Sequence, residues 1–229
     1  MAVAERLVEA EGEADQLLSR AGALKEGTLV IGADAAIHAI AAVRHFRGVH
    51  PGITIRIEAG NSASLAARLR SFEVDLAIVA RVPEGADIVS RLIRRDPIVA
   101  ILPKALAAGT GASLGAKELS RLAVVMREEG SATRDLTLRL FRQNNIAPAA
   151  MIEVSGRETC LEAVAQGMGV AFVSRGEVPS DARIVVREVA GKQEHMTENL
   201  IYLRTRTNLR LMRAFLASVD ATAGKASAA

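Results

Sequence analysis

The 229-residue sequence has no tryptophan, one tyrosine and five phenylalanines, so aromatics make up only 3%. A core without large rings must come from Ala, Val, Leu and Ile, as in stacked helices and parallel strands. The shortage also counts against a surface that stacks single-stranded nucleic acid. Cys160 is the single cysteine, which excludes an internal disulfide framework and a thiolate zinc cage. No apolar run reaches the roughly 18 residues of a membrane span. The N-terminus starts acidic, without the positive and apolar regions of a signal peptide. A soluble, cytoplasmic protein is expected. Neither sign of charge dominates, since 29 Lys and Arg oppose 26 Asp and Glu. The small basic excess forms no run, so tight DNA binding by this chain alone is not expected.

Half the residues are apolar, and their arrangement is regular. Val3, Leu7, Ala10, Ala14, Leu17 and Ala21 form a heptad seam with acidic residues on the other faces, which predicts a helix over 1–22. That helix either packs on its own domain or docks on a partner chain. From Gly27 strands and helices alternate. Strands are expected at 28–33, 53–59, 74–79, 88–94, 97–102, 122–126, 149–154, 169–173, 184–189 and 199–204. Helices are expected at 35–48, 62–72, 116–121, 131–144, 157–166 and 208–218, with a glycine-rich loop over 107–115. Residues 220–229 are mostly Ala, Thr, Gly and Ser and read as a disordered tail. Such alternation implies α/β architecture with parallel sheets and right-handed crossovers.

Two junctions stand out. Gly27-Thr28-Leu29-Val30-Ile31-Gly32-Ala33-Asp34 runs into a helix with Ile37, Ile40 and Val43, and LAVVMREEGSATR at 122–134 runs into one with Leu136 and Leu140. Each places small or polar residues where a strand ends and a helix begins. A helix N-terminus offers unpaired N–H groups and partial positive charge. Two such junctions, about a hundred residues apart, predict two lobes closing on a small anion.

The candidate contacts follow from those junctions. Asp34 is placed to cap the helix after it. Asn61, Ser62 and Ser64 crowd the second strand-to-helix turn, where capping needs only one of them. Ser131, Thr133 and Arg134 supply two hydroxyls and a planar cationic fork within one turn, and the fork suits a carboxylate or phosphonate. Ser155 and Arg157 precede or open another helix, for which capping and ligand contact are equal readings. Ser174 and Arg175 lie just past a strand. Gly167-Met168-Gly169 ends a helix and starts a strand, the wrong order for a dinucleotide fingerprint. Catalytic signals are weak. Cys160 falls inside a helix and reads as a buried thiol. His38 and His45 lack a metal-binding motif, His50 and His195 read as loop residues, and no nucleophile elbow or P-loop occurs. No catalytic residue, cofactor or metal is expected.

Taken in order, several segments resemble the effector-binding half of LysR-type transcriptional regulators. They are the acidic first helix, Gly27–Gly32, Phe46 with His50-Pro51-Gly52-Ile53, and Val74–Val79. REEGSATR at 127–134 and AVAQGMGVAFVSR at 163–175 complete the set. The resemblance implies two Rossmann-like lobes of the periplasmic-binding-protein type II kind, joined by crossover strands, with an effector cleft between them. Lobe I would hold 27–95 and 188–219, and lobe II 96–187. It implies side-by-side homodimers or tetramers, and DNA binding only through a helix-turn-helix that precedes the linker helix in the family and is missing here. Gly60-Asn61-Ser62, Asp96-Pro97-Ile98-Val99, Met126-Arg127-Glu128 with Gly130-Ser131 and Thr133-Arg134, Ser155 with Arg157-Glu158, and Val173-Ser174-Arg175 are similar to the subgroup associated with 2-aminoethylphosphonate catabolism. For that subgroup Arg134, Arg157 and Arg175 would suit a dianionic phosphonate, while ordinary members with such hydroxyl-rich turns take carboxylates or amino-acid derivatives. A stand-alone solute-binding protein and a transferase on the same fold are the alternatives.

Overall fold

The computed structural model describes residues 26–223. The expected helix over 1–22 and residues 224–229 lie outside the described residues. Strands and helices alternate from the start: β1 (Gly27–Ala33), α1 (Ile37–Val49), β2 (Ile53–Ala59), α2 (Ser62–Arg70) and β3 (Leu76–Val79). The long β4 (Ile88–Pro103) follows, then α3 (Lys104–Ala107), β5 (Ser113–Leu114) and α4 (Ala116–Leu119). Alternation resumes with β6 (Ala123–Arg127), α5 (Ala132–Asn144), β7 (Ala150–Val154), α6 (Arg157–Ala165) and β8 (Ala171–Ser174). A 3₁₀ turn (Arg175–Glu177), β9 (Ile184–Val189), β10 (His195–Leu203), a second 3₁₀ turn (Arg204–Arg206) and α7 (Arg210–Ala223) complete the order.

The chain divides into two compact units. The first holds the described residues up to Arg94 and from Thr197 on; the second is Arg95–Met196. β4 and β10 each begin in one unit and end in the other. The return expected at 188 therefore comes later, because β9 pairs with β4 and β5 inside the second unit.

In the first unit β2, β1 and β3 are parallel and β10 adds antiparallel to β3. Successive strand residues face opposite sides, so one sheet feeds two cores. Leu29, Ile31, Leu76, Ile78 and Leu200 pack toward α1 and α7, where Phe46 and Phe215 meet edge to face at 5.5 Å. Such a ring pair contributes about 0.5–1.5 kcal/mol beyond its buried area. Ala77, Val79 and Ile201 pack the other way, onto Leu65 and Leu69 of α2. Gly32 and Gly60 let α2 approach, since a Cβ at either would press on the Leu65 side chain.

In the second unit β6 and β7 are parallel, and a bridge between Val124 and Val170 sets the β8 segment parallel to β6. β8 runs antiparallel to β4, and β4 to β9. Val99, Ile101, Val125, Ala171 and Val173 pack onto Cys160 and Val164 of α6. On α5, Phe141 meets Phe172 of β8 at 5.0 Å. No helix among the described residues is long and apolar enough to cross a membrane.

Several expectations are corrected. The strands expected at 88–94 and 97–102 are one strand. A residue before proline favours extended backbone, so the strand runs on through Asp96 and Pro97. Residues 220–223 belong to α7 rather than to a tail, and Asp220 pairs with Arg91. His195 opens β10 rather than lying in a loop, and the loop at 107–115 contains β5.

Gly169 turns the chain into β8 at φ 154°, and a Cβ there would strike the backbone carbonyl of Ala123. Backbone cannot yield as a flexible side chain can. Gly169→Ala is expected to destabilise by at least about 2 kcal/mol, read as a lowered urea midpoint. An unchanged midpoint would show that the β6–β8 contact is not held at this spacing.

Candidate functional site

Parallel strands bring their carboxyl ends to one side of a sheet, and the helices that follow start there. In the first unit this rim is made by the residues after β1, β2 and β3. Asp34 does not cap α1, whose N-cap is Ala36 with no side-chain bond. Its Oδ2 instead accepts the Ser62 hydroxyl at 3.0 Å and the Ala80 N–H at 2.7 Å. One carboxylate thus ties together the ends of β1 and β3 and the start of α2. Ser62 Oγ also accepts the Arg81 N–H at 3.2 Å. Asn61 is the N-cap of α2, its Oδ1 accepting the Ser64 N–H at 2.9 Å, a contact worth about 1 kcal/mol. The Ser64 hydroxyl donates to the Asn61 carbonyl. All four predicted residues of this unit therefore share one rim and brace one another, while Asn61 and Ser64 remain exposed.

The rim of the second unit gathers the ends of β6, β7 and β8. Gly130 has φ 87°, a left-handed turn that a side chain would strain. It delivers Ser131, the N-cap of α5, whose Oγ accepts the Arg134 N–H at 3.5 Å, at the outer limit of a hydrogen bond. Thr133 is buried in the first turn. The Arg134 guanidinium donates to the Arg127 carbonyl at 2.6 Å and to Glu153 at 2.7 Å. Ser155 is exposed and caps nothing; the N-cap of α6 is Gly156, at φ 86°. Arg157 Nε lies 3.0 Å from a Glu177 carboxylate oxygen as an ion pair, without making a hydrogen bond. Arg175 is exposed and pairs with Glu188. The Ser174 hydroxyl is wholly buried and has no hydrogen-bond partner among the described residues.

The residue that sequence reasoning passed over is Glu128. Its carboxylate takes two bonds from Arg127, both 2.7 Å, and the Gly156 N–H at 3.1 Å. It therefore sits at the start of α6 as a built-in anion. The Arg127 hydrogen bonds hold its carboxyl down to about 2 despite opposing burial. Only the parallel pairing of β6 and β7 brings Glu128 to Gly156, so no local spacing signals the contact. Cys160 is buried as expected, and desolvation pushes its thiol up to about 11, which makes it a poor nucleophile. His38 Nε2 lies 3.7 Å from Glu198, both side chains shielded from solvent, a pairing of α1 with β10 that the sequence did not reveal.

Two α/β units with helix N-termini along the carboxyl ends of their strands belong to the periplasmic-binding-protein type II-like fold, as in LysR effector-binding domains. Residues 22–224 match the LysR substrate binding domain, and the chain belongs to that family. It is similar to the HTH-type transcriptional regulator CbbR of Xanthobacter flavus, 30% identical over 199 residues, covering 82% of this chain and 58% of that protein. The chain thus spans little more than half of the regulator. The phosphonates import ATP-binding protein PhnC of Anaeromyxobacter dehalogenans is 32% identical over 163 residues, 69% of this chain and 32% of that one. Among solved structures, the regulatory domain of CcmR from Synechocystis PCC6803 in complex with 2-PG superposes with a TM-score of 0.73. It is 23% identical, with 86% of this chain and 98% of that one covered.

Glu128 links this geometry to pH. Its folded pKa lies below the ordinary 4.5, so its contribution is complete above 4.5 and is lost as pH falls toward about 2. Thermal melts between pH 5 and about 2 should show the wild type losing stability more steeply than Glu128→Gln. Parallel curves would mean that Glu128 does not hold Gly156 in solution.

Proposed function

We propose that this chain is the ligand-sensing region of a LysR-type transcriptional regulator and takes a small anionic effector, a carboxylate or a phosphonate, at its carboxyl-end rims. The observation that carries the reading is the α5 N-terminus. Its hydroxyls, Ser131 and Thr133, accompany a cap that reaches one first-turn amide only at 3.5 Å, and Ser174 buries an unused hydroxyl in the same unit. Amides and hydroxyls of this kind fix an oxyanion. Asn61, Ser62 and Ser64 supply donors on the other unit's rim, with Asp34 positioning Ser62. Arg134 and Arg157, in the first turns of α5 and α6, and Arg175, just past β8, orient the anion once their glutamates allow it. Likeness to PhnC favours a phosphonate among the candidates.

The effector acts by differential affinity. It binds one conformation more tightly and shifts the population toward it. In the whole cytoplasmic regulator that shift re-aims DNA-binding domains carried by a homodimer or tetramer. Ile37 and Ile40 on α1 and Met151 on β7 are each about half exposed. They are apolar surface that pairing of two copies would cover. The chain is a sensor and turns nothing over.

A saturating effector, at about a hundred times its dissociation constant, should stabilise the protein by about 2.7 kcal/mol. Ser131→Ala with Thr133→Val should remove that shift while leaving the ligand-free melt within about 1 kcal/mol. Retention of the full shift would exclude the α5 N-terminus as the site. For assembly, Ile37→Glu with Ile40→Glu is expected to turn a dimer into a monomer in sedimentation velocity. An unaltered dimer would place the interface elsewhere.

A further inference from the structure

The charge of the effector can be narrowed if the anion-sensor reading holds. The rim of the second unit carries four arginines, and each meets a glutamate of its own unit. The pairs are Arg127–Glu128, Arg134–Glu153, Arg157–Glu177 and Arg175–Glu188. Glu129, in the loop before α5, and Glu158, in the first turn of α6, add exposed carboxylates. No lysine or histidine occurs in 127–134, 153–158 or 174–177. The rim that must receive an anion therefore has more acids than bases, and no arginine there lacks a carboxylate.

We propose that the second unit selects an effector of net charge no more negative than −1, either a monoanion or an anion that also carries an ammonium group, and discriminates against dianions. A single negative charge is held by neutral donors, the α5 amides and the Ser131, Thr133 and Ser174 hydroxyls. A second charge gains nothing from cations already matched. It also meets the surplus carboxylates, each of which weakens it by about fivefold at 5–6 Å in a wet site. Glu153 is the most exposed member of the four pairs, at 58% against 22% for its partner Arg134. It is thus the carboxylate whose removal most readily leaves an arginine unmatched. An ammonium group on the effector has ready acceptors in the same loops. An aminoalkylphosphonate satisfies this rule, whereas a phosphonate without an amine does not at alkaline pH.

The test is a titration of the whole chain at pH 8 and low salt, read by thermal shift and calorimetry. The panel is acetate, benzoate, shikimate and 2-aminoethylphosphonate against phthalate, sulfate, phosphate and N-acetyl-2-aminoethylphosphonate. The expected result is that the tightest binders all come from the first group, by about tenfold or more. Glu153→Gln should tighten the dianions by about fivefold and the first group by less. A dianion that binds the wild type as tightly as the best monoanion overturns the inference while leaving the sensor reading intact. An equal gain for both groups in Glu153→Gln also overturns it. Failure of every compound to bind removes the sensor reading itself, and this inference falls with it.

Discussion

Parallel strand pairing is the constraint from which the rest follows. A strand that pairs parallel to its neighbour cannot be joined to it by a tight turn, so the chain must cross back as a helix. The crossover leaves from the strand's carboxyl end, and each helix therefore begins on that side. In both units the consequence is a rim of unsatisfied amides with a net dipole. Nothing about this depends on which residues fill the rim. The residues decide only how the amides are used. Asn61 and Ser131 take part of the work as caps, and Asp34 and Glu128 fix neighbouring turns to one another.

Asp34 and Glu128 play comparable parts in the two units. Each is a carboxylate just past a central parallel strand, and each accepts backbone N–H groups from a segment distant in sequence. A carboxylate so placed costs desolvation but gains from several donors at once. It also puts negative charge where a ligand would otherwise meet only donors. The second unit offsets that with arginines matched pair by pair, of which Arg175–Glu188 is about half exposed on both sides. Exposed pairs of this kind contribute little to stability, typically below about 1 kcal/mol. Their effect on ligand charge is a separate matter, because that depends on the total charge near the rim rather than on the geometry of any one pair.

Much of the fold was legible beforehand for physical reasons. Val74–Val79 is a short apolar run, and a strand buried on both faces must read that way. The turn at Gly130 takes a left-handed φ that a side chain would strain, and at Gly169 only a missing side chain lets the backbone pass. Periodicity also gave α5, with Leu136, Leu140 and Phe141 on its buried face. The misreadings were local conflicts between rules. Two strands were expected at 88–94 and 97–102, yet the backbone stays extended through Asp96 and Pro97 and makes them one. The composition of 220–223 argued for disorder, yet those residues extend an amphipathic helix anchored by Phe215 and by Asp220 on Arg91.

Element type and order, the aliphatic core, and the hydroxyl-rich starts of α2 and α5 were determined by the sequence alone, because each arises from neighbours a few residues apart. The partners of the charged groups were decided only by tertiary structure. Arg134 with Glu153, Arg157 with Glu177, Glu128 with Gly156 and His38 with Glu198 join segments that strand pairing and helix packing bring together. A guanidinium reads as free in a sequence because its reach spans several ångströms in any direction. Which carboxylate it meets is set by the register of strands whose pairing no local pattern encodes.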